Sequence, residues 1–311
     1  MTEVLVTGAD GFVGRAVVAH LRAGSRPVRP AVRAGGNAAG MVATGDIGPA
    51  TRWAAALAGV SHIIHLAARV HAPSGDEALF HQVNVMGTTR LARAAAEAGV
   101  ARLVYVSSVK VHGDVSGTRA ITEDDPFAPS DAYGRSKCDA ELALREVAAD
   151  TGMEVVIVRP PLVYGPQVKG NLGRLMALVA RGVPLPFAGL DNRRSLVGVD
   201  HLSALLALCL DHPAAGGRAF FAADVTPLST SELLAHIAEG LGVPSRQFSF
   251  PTGVIRLAAR ALGRQDEAAR LLGSLEVNAD KARAMLGWQP AVSSKRGIID
   301  MARNYAAQKR A

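Results

Sequence analysis

Eleven residues near the start of the chain restrict it more than any other stretch: Val4-Leu5-Val6-Thr7-Gly8-Ala9-Asp10-Gly11-Phe12-Val13-Gly14. An apolar, β-branched run ends in three regularly spaced glycines, and an Ala/Val/Leu helical pattern follows from Arg15 to Leu21. This order predicts a buried parallel strand that turns sharply into a helix. Gly8 permits the tight turn, Gly11 lets the backbone approach a ligand, and Gly14 lets the helix pack on the strand. The N–H groups at the helix start, with the helix dipole behind them, suit an anion such as a pyrophosphate. The Gly-x-x-Gly-x-x-Gly spacing departs from the common Gly-x-Gly-x-x-Gly form. Alone, the stretch is open between a dinucleotide site and a plain glycine turn.

With 311 residues, 49% of them hydrophobic and 20% charged, the chain can build one large domain or two closely joined ones. Its longest apolar runs, such as Leu202 to Leu210, are too short to span a bilayer. The first strand begins within a few residues of Met1, so no signal peptide is expected. Cys138 and Cys209 make neither a disulfide framework nor a metal site, and the cytoplasm is the expected compartment. The net charge is +7, but the basic residues are scattered among Ala, Leu and Gly, without an aromatic-interleaved stripe. Neither nucleic acid nor a membrane is therefore an expected partner, and a few arginines remain for an anionic small molecule.

Along the chain, Pro27 to Arg33 reads as the second strand, ended by Gly35-Gly36. An NAD site favours an acidic residue near this strand end, but Val32 stands there, followed by Arg33. Arg33 either pairs with the 2′-phosphate of NADP, stacks on adenine, or lies on the surface. A third strand precedes Gly45-Asp46-Ile47, where Asp46 either meets adenine or opens a loop. His62 to Ala68 is a buried strand running into a small-residue turn, with His65 read as packed rather than catalytic. A long helix is expected from Phe80 through Ala98, carrying Asn84 in a buried polar role. Arg102 to Ser108 is a further central strand that ends in two hydroxyls. The strand–helix alternation is that of a doubly wound parallel sheet, where ligands sit at the carboxyl ends of the strands.

Tyr133-Gly-Arg-Ser-Lys137 lies in a helical context, and residues four apart share a helix face. A free tyrosine titrates near 10, and a nearby ammonium brings that value toward the working range of a base. Lys137 can also hydrogen-bond ribose hydroxyls. Tyr-x-x-x-Lys is common by chance, so its weight comes from following a glycine turn and a hydroxyl-ended strand in order.

With these motifs assembled, the chain resembles the extended short-chain dehydrogenase/reductases, in their nucleotide-sugar epimerase/dehydratase branch. The resemblance rests on Thr7-Gly8-x-x-Gly11-Phe12-Val13-Gly14, Gly45-Asp46-Ile47, His65-Leu66-Ala67-Ala68, Asn84-Val85-x-Gly87-Thr88, Ser107-Ser108 and Tyr133-x-x-x-Lys137. It continues through Arg159-Pro160-x-x-Val163-Tyr164-Gly165-Pro166, Arg194-Ser195-x-Val197-x-Val199-Asp200, Asp280-Lys281-Ala282 and Leu286-Gly287-Trp288-x-Pro290, covering nearly the whole chain.

The resemblance implies a Rossmann-type doubly wound α/β sheet with a smaller, discontinuous α/β substrate domain. The dinucleotide-binding part would be residues 1–166 plus about 195–224, and the substrate part about 167–194 plus 225–311. Ser195 to Leu210 and Arg218 to Ala223 would return to the cofactor domain as strand, helix and strand, and a final helix from Lys295 to Ala307 would pack on the outside.

By the same resemblance, Tyr133 is the acid/base, Lys137 its pKa-lowering partner, and Ser108 the hydroxyl that orients the sugar oxygen. The family serine precedes the Val-x-Gly end of its loop by a fixed step, which selects Ser108 over Ser107. Cofactor contacts are implied for Gly8, Gly11, Phe12, Val13, Gly14, Arg33, Asp46, Ile47, Leu66, Ala67, Ala68, Asn84, Ser107, Tyr133, Lys137 and Pro160. Substrate contacts are implied for Ser108, Tyr133, Asn171 and Arg194, with Arg270 a second phosphate candidate and Arg193 able to replace Arg194. Dehydratases of this branch carry an Asp-Glu pair after the active hydroxyl, whereas Val109-Lys110 stands here, so elimination lacks its acid and base. Lys110 either contacts substrate or lies solvated at the loop surface.

The expected reaction is hydride transfer at C4 of a nucleotide-linked hexose. Two forms remain: a UDP-(N-acetyl)hexosamine 4-keto-reductase for bacterial surface polysaccharide precursors, or a UDP-glucose or UDP-N-acetylglucosamine 4-epimerase with tightly held NAD. Val32-Arg33 leans toward NADP(H) and the reductase. A different class, a non-catalytic nucleotide-binding sensor, usually loses the Tyr/Lys pair that this chain keeps. The family also implies a homodimer through a four-helix interface formed by the helices after Asn84 and Asp139.

Overall fold

The computed structural model describes residues 3–33, 40–70 and 76–310; Gly35 and Gly36 lie outside them. The strands are β1 (Glu3–Thr7), β2 (Val28–Val32), β3 (Val42–Ala43), β4 (Val60–His65), β5 (Arg102–Val106), β6 (Glu154–Arg159), β7 (Leu162–Tyr164), β8 (Leu196–Gly198) and β9 (Ala219–Phe221). The helices are α1 (Phe12–Ala23), α2 (Ala54–Leu57), α3 (Glu77–Phe80), α4 (Thr88–Glu97), α5 (Ala132–Thr151) and α6 (Gly170–Ala180). They continue as α7 (Val199–Asp211), α8 (Thr230–Leu241), α9 (Thr252–Ala261), α10 (Gln265–Leu272), α11 (Asp280–Leu286) and α12 (Ser294–Arg310).

Seven strands form one parallel sheet in the order β3-β2-β1-β4-β5-β6-β9. Successive side chains of a strand point to opposite faces, and both faces here are apolar. Val4 and Val6 join one cluster with Val17 and Leu21 of α1 and Leu202, Leu205 and Leu206 of α7. Leu5 joins the other, with Leu91 and Ala95 of α4 and Ala140, Leu144 and Val147 of α5. This two-sided burial explains the near-continuous hydrophobic strands and defines a Rossmann-like α/β fold. Order reverses at β1, where β2 lies on one side and β4 on the other, so the glycine turn opens at the switch point.

Ser195 to Leu210 supplies β8 and α7: β8 pairs with β7 in a separate two-stranded sheet, while Val197, Leu202, Leu205 and Leu206 pack in the first cluster of the main sheet. Pro160 and Pro161 lack N–H donors and divert the chain after β6, leaving that sheet edge to β9. The expected single helix from Phe80 to Ala98 is instead α3, a π-helical stretch His81–Gly87, and α4. The helix there passes close to the loop after β3, and a Cβ on Gly87 would lie 2.6 Å from Ile47 Cγ2.

The last helix is not simply an outer layer. Ile298, Met301 and Ala302 of α12 belong to a third apolar cluster, with Leu172 and Met176 of α6 and Leu234 and Ile237 of α8. Glycine makes this approach possible: a Cβ at Gly240 would overlap Ile299 O, and one at Gly297 would overlap the Tyr164 hydroxyl.

Candidate active site

The glycine turn is built by close backbone contact. Gly8 has φ +66°, and a Cβ there would lie 3.0 Å from Ala67 N. A Cβ on Gly14 would overlap Gly8 O, which holds α1 against the end of β1. Gly11 precedes α1, whose start has no side-chain cap and no acidic residue in its first turn. That leaves the amide dipoles of Phe12, Val13 and Gly14 to an outside anion.

Beneath the turn lies a relay that sequence reasoning did not find. Thr7 Oγ1 accepts from Leu66 N and Ala67 N, both at 3.2 Å, and is 2.7 Å from His65 Nδ1. The threonine hydroxyl therefore donates its one proton to Nδ1, and His65 Nε2–H donates to Thr88 Oγ1 at 2.9 Å. His65 is fully buried, and that burial pushes its pKa down to about 3. The ring is a neutral brace between β1, β4 and α4.

This brace has a pH consequence. The unfolded chain's histidine titrates near 6.5, so between that value and about 3 the unfolded state binds the extra proton. Stability is expected to fall as pH drops through this window, by up to about 1.4 kcal/mol per pH unit from this group. In denaturant titrations from pH 7 to 4, His65→Gln should show a flatter acid limb. Equal slopes in the two proteins would remove His65 as its source.

Asn84, on the π-helical stretch, has its amide committed to the protein. Its Oδ1 accepts from Arg69 N at 2.7 Å, and its Nδ2 donates to Arg69 O at 3.0 Å and Ser136 Oγ at 2.9 Å. It pins the loop after β4 to α5.

Ser107 and Ser108 follow β5 at the carboxyl edge. Ser107 is buried, and its Oγ has no hydrogen-bond partner. Ser108 caps the 3-10 turn Val109–His112, accepting from Lys110 N at 3.2 Å, and its hydroxyl is near enough to the Tyr133 phenol to favour the ionised form. Pro160 O holds that turn by accepting from Val109 N at 3.0 Å. Asp131 caps α5 through Gly134 N at 2.7 Å, which sets Tyr133 in the first turn. The Asp-x-x-Gly spacing was a legible sign of this cap.

Lys137 is buried and donates to Val106 O at 2.9 Å and Tyr105 Oη at 3.1 Å, while its Nζ lies 5.9 Å from the Tyr133 ring centre. Burial pushes Tyr133 up to about 12, helped by the Asp131 carboxylate, and pushes Lys137 down to about 7. The expected lowering of the tyrosine by the lysine is thus not present in the protein alone: burial and the Asp131 carboxylate raise the phenol, while the ammonium bonds Tyr105 and Val106 instead.

On the substrate side, Lys110 pairs with Asp131 and lies 3.4 Å from Asp114. Arg270 of α10 reaches the same two carboxylates, at 3.4 Å from Asp131 and 3.7 Å from Asp114. Half-buried Arg194 donates to Gly273 O at 2.9 Å, and burial lowers its pKa. Arg193 instead forks onto Glu276 at 2.6 and 2.9 Å and faces solvent, so it does not replace Arg194. Asn171 lies exposed in the first turn of α6. At the other end of the cleft, exposed Arg33 pairs with exposed Asp46 at 3.3 Å. Ile47 and Leu66 pack at the rims of the two sheet clusters.

A turn-opened anion site, an orphaned serine hydroxyl and a half-buried Tyr133 on the same helix as buried Lys137, along one sheet edge, define a dinucleotide-dependent oxidoreductase of the short-chain type. The pattern of the NAD dependent epimerase/dehydratase family matches residues 4–222, and the chain belongs to that family. It is 38% identical over 313 residues to a UDP-glucose 4-epimerase of Vibrio cholerae, covering 97% of this chain and 95% of the relative. Its fold is similar to that of an Agrobacterium tumefaciens short-chain dehydrogenase/reductase superfamily protein with bound NAD (TM-score 0.76, 26% identity, 99% and 97% of the two chains). It is also similar to MoeE5 in complex with UDP-glucose and NAD (TM-score 0.81, 24% identity, 99% of each chain). No helix among the described residues is long and apolar enough to cross a membrane, and no group of them is arranged to hold a metal ion.

Proposed function

We propose that this enzyme interconverts the C4 epimers of a UDP-linked hexose and keeps NAD bound throughout. The observation that carries this reading is the meeting of Ser108, after β5, with Tyr133 in the first turn of α5 at the carboxyl edge of the sheet, where Lys137 Nζ lies 5.9 Å from the Tyr133 ring centre. Bound nicotinamide supplies the acceptor and donor of hydride at the sugar carbon. Tyr133 takes and returns the C4 hydroxyl proton, Ser108 orients that oxygen, and Lys137 has one ammonium donor beyond its two protein bonds for a ribose hydroxyl. Val109 and Lys110 stand where elimination would need an acid and a base, which argues against a dehydratase. Arg194 and Arg270 are read as the diphosphate contacts.

Arg33 supports the second reading, a 4-keto-reductase using NADPH. Its ion pair with Asp46 weighs against it, because that carboxylate neutralises the guanidinium and repels a 2′-phosphate. The division into a dinucleotide part (1–166 with about 195–224) and a substrate part (about 167–194 with 225–311) finds support in the third apolar cluster for α6, α8 and α12, whereas Leu275, Val277, Ala282, Leu286 and Trp288 pack in the first cluster of the main sheet. A homodimer through α4 and α5 in the cytoplasm completes the proposal, with exposed Leu142 on α5 available to the interface.

Mass spectrometry of the cofactor released by denaturation, paired with an assay on UDP-glucose without added cofactor, tests the proposal. Stoichiometric NAD and conversion to UDP-galactose are expected. An empty protein that turns over only 4-keto sugars with NADPH would replace it with the reductase.

A further inference from the structure

We propose that α9, together with Phe248 and Phe250, is a docking face for the surface of an anionic lipid bilayer. None of the residues of α9 is buried. Ile255 and Ala259 rest against the third apolar cluster, and the rest of the helix stands off the body. Leu257 and Leu262 are 70% and 73% exposed, and Phe248, Phe250 and Val254 are each nearly half exposed. Phe248, Phe250, Val254 and Leu262 border an apolar groove of about 510 Å³, closed on its inner side by Phe187 and Leu272, and Leu257 projects from the same helix outside it. A contiguous apolar surface of this kind marks a binding face rather than ordinary scatter.

The charge on this face selects the occupant. Arg256 and Arg260 are four apart on the flank beside the apolar stripe, and Arg264 follows at the groove. None of the three is ion-paired among the described residues. Between Ser245 and Gly273 the chain carries five arginines and two acidic residues. An apolar stripe flanked by arginine fits the boundary between acyl chains and lipid phosphates, with the helix lying in the plane of the interface. A second copy docked through the same face about a two-fold axis would set these arginines against each other, which disfavours it.

The position adds a functional consequence. Ala268, Leu271 and Leu272 of α10 line the groove, while Arg270 of the same helix reaches Asp131 and Asp114 beside Tyr133. Docking would therefore set the substrate side of the cleft one helix away from the bilayer. That no helix among the described residues is long and apolar enough to cross a membrane does not bear on this mode, in which the helix lies in the plane of the interface.

Co-sedimentation tests it, using phosphatidylcholine vesicles with and without phosphatidylglycerol, at low and high salt. Anionic vesicles at low salt should pellet at least about tenfold more protein than neutral ones, and high salt should reverse most of this. Leu257→Glu combined with Leu262→Glu should abolish pelleting, and Arg256→Glu with Arg260→Glu should do the same. Both pairs should keep wild-type circular dichroism and wild-type turnover of a water-soluble nucleotide sugar, because all four positions are exposed. No pelleting by the wild type, or equal pelleting by wild type and variants, would overturn the proposal. A dimer that Leu257→Glu with Leu262→Glu converts to monomer in light scattering would overturn it in favour of self-association. The pelleting, circular dichroism and light-scattering readouts do not depend on the C4 epimerase assignment.

Discussion

Tyr133→Phe is expected to lower turnover on a UDP-hexose by about 10²–10⁴-fold, the usual contribution of a positioned acid/base group. The substitution removes one oxygen and leaves the ring against Phe80, whose centre lies 6.4 Å away. The helix start is held by Asp131 and Gly134, not by the phenol, so the fold and the dinucleotide content should be unchanged. Loss of activity with retained cofactor would separate a chemical role from a structural one. Wild-type turnover in the variant would sink the oxidoreductase mechanism at this residue. Ser108→Ala should cost less, since the phenol keeps its proton-transfer role when one orienting hydrogen bond is lost.

The second large effect concerns a pair that takes no part in the chemistry. Arg159 at the end of β6 donates to both carboxylate oxygens of Glu141 on α5, at 3.0 and 2.6 Å, and both side chains are at most 1% exposed. The guanidinium also donates to Glu123 O at 3.0 Å and to His112 Nε2 at 3.0 Å. Glu141→Ala is expected to destabilise by about 3–5 kcal/mol, because it leaves a buried cation with no counter-charge. In thermal melts this would appear as a drop in Tm of roughly 10 °C. Glu141→Leu with Arg159→Met should lose less than the sum of the two single changes, because no charge is then left unpaired. A cost under about 1 kcal/mol for either single change, as at an exposed ion pair, would show that water reaches the pair.

Much of the site was legible because its parts follow local rules. A glycine required by φ +66° at Gly8, a hydroxyl at a strand end and two side chains four apart on a helix are all written in short spacing. The arginines were harder. Arg193 and Arg194 are neighbours in a strand-like segment, where alternate residues face opposite ways, and only the partner Glu276 on a distant segment separates the outward one from the inward one. The same limit applies to Arg33, whose lean toward NADP was read without the Asp46 carboxylate that the end of β3 brings alongside it.

What the sequence determined by itself was the doubly wound sheet, the glycine turn and the order Ser108, Tyr133, Lys137, since periodicity and turn chemistry act over a few residues. Tertiary structure alone decided the protonation balance of the pair and the hydrogen-bond partners of His65. It also decided the exposure of α9. Desolvation is the physical reason for all three: whether a phenol, an imidazole or a leucine meets water depends on segments far away in the chain. Burial raises Tyr133 and lowers Lys137 and His65, and the lack of it leaves Leu257 and Leu262 facing outward.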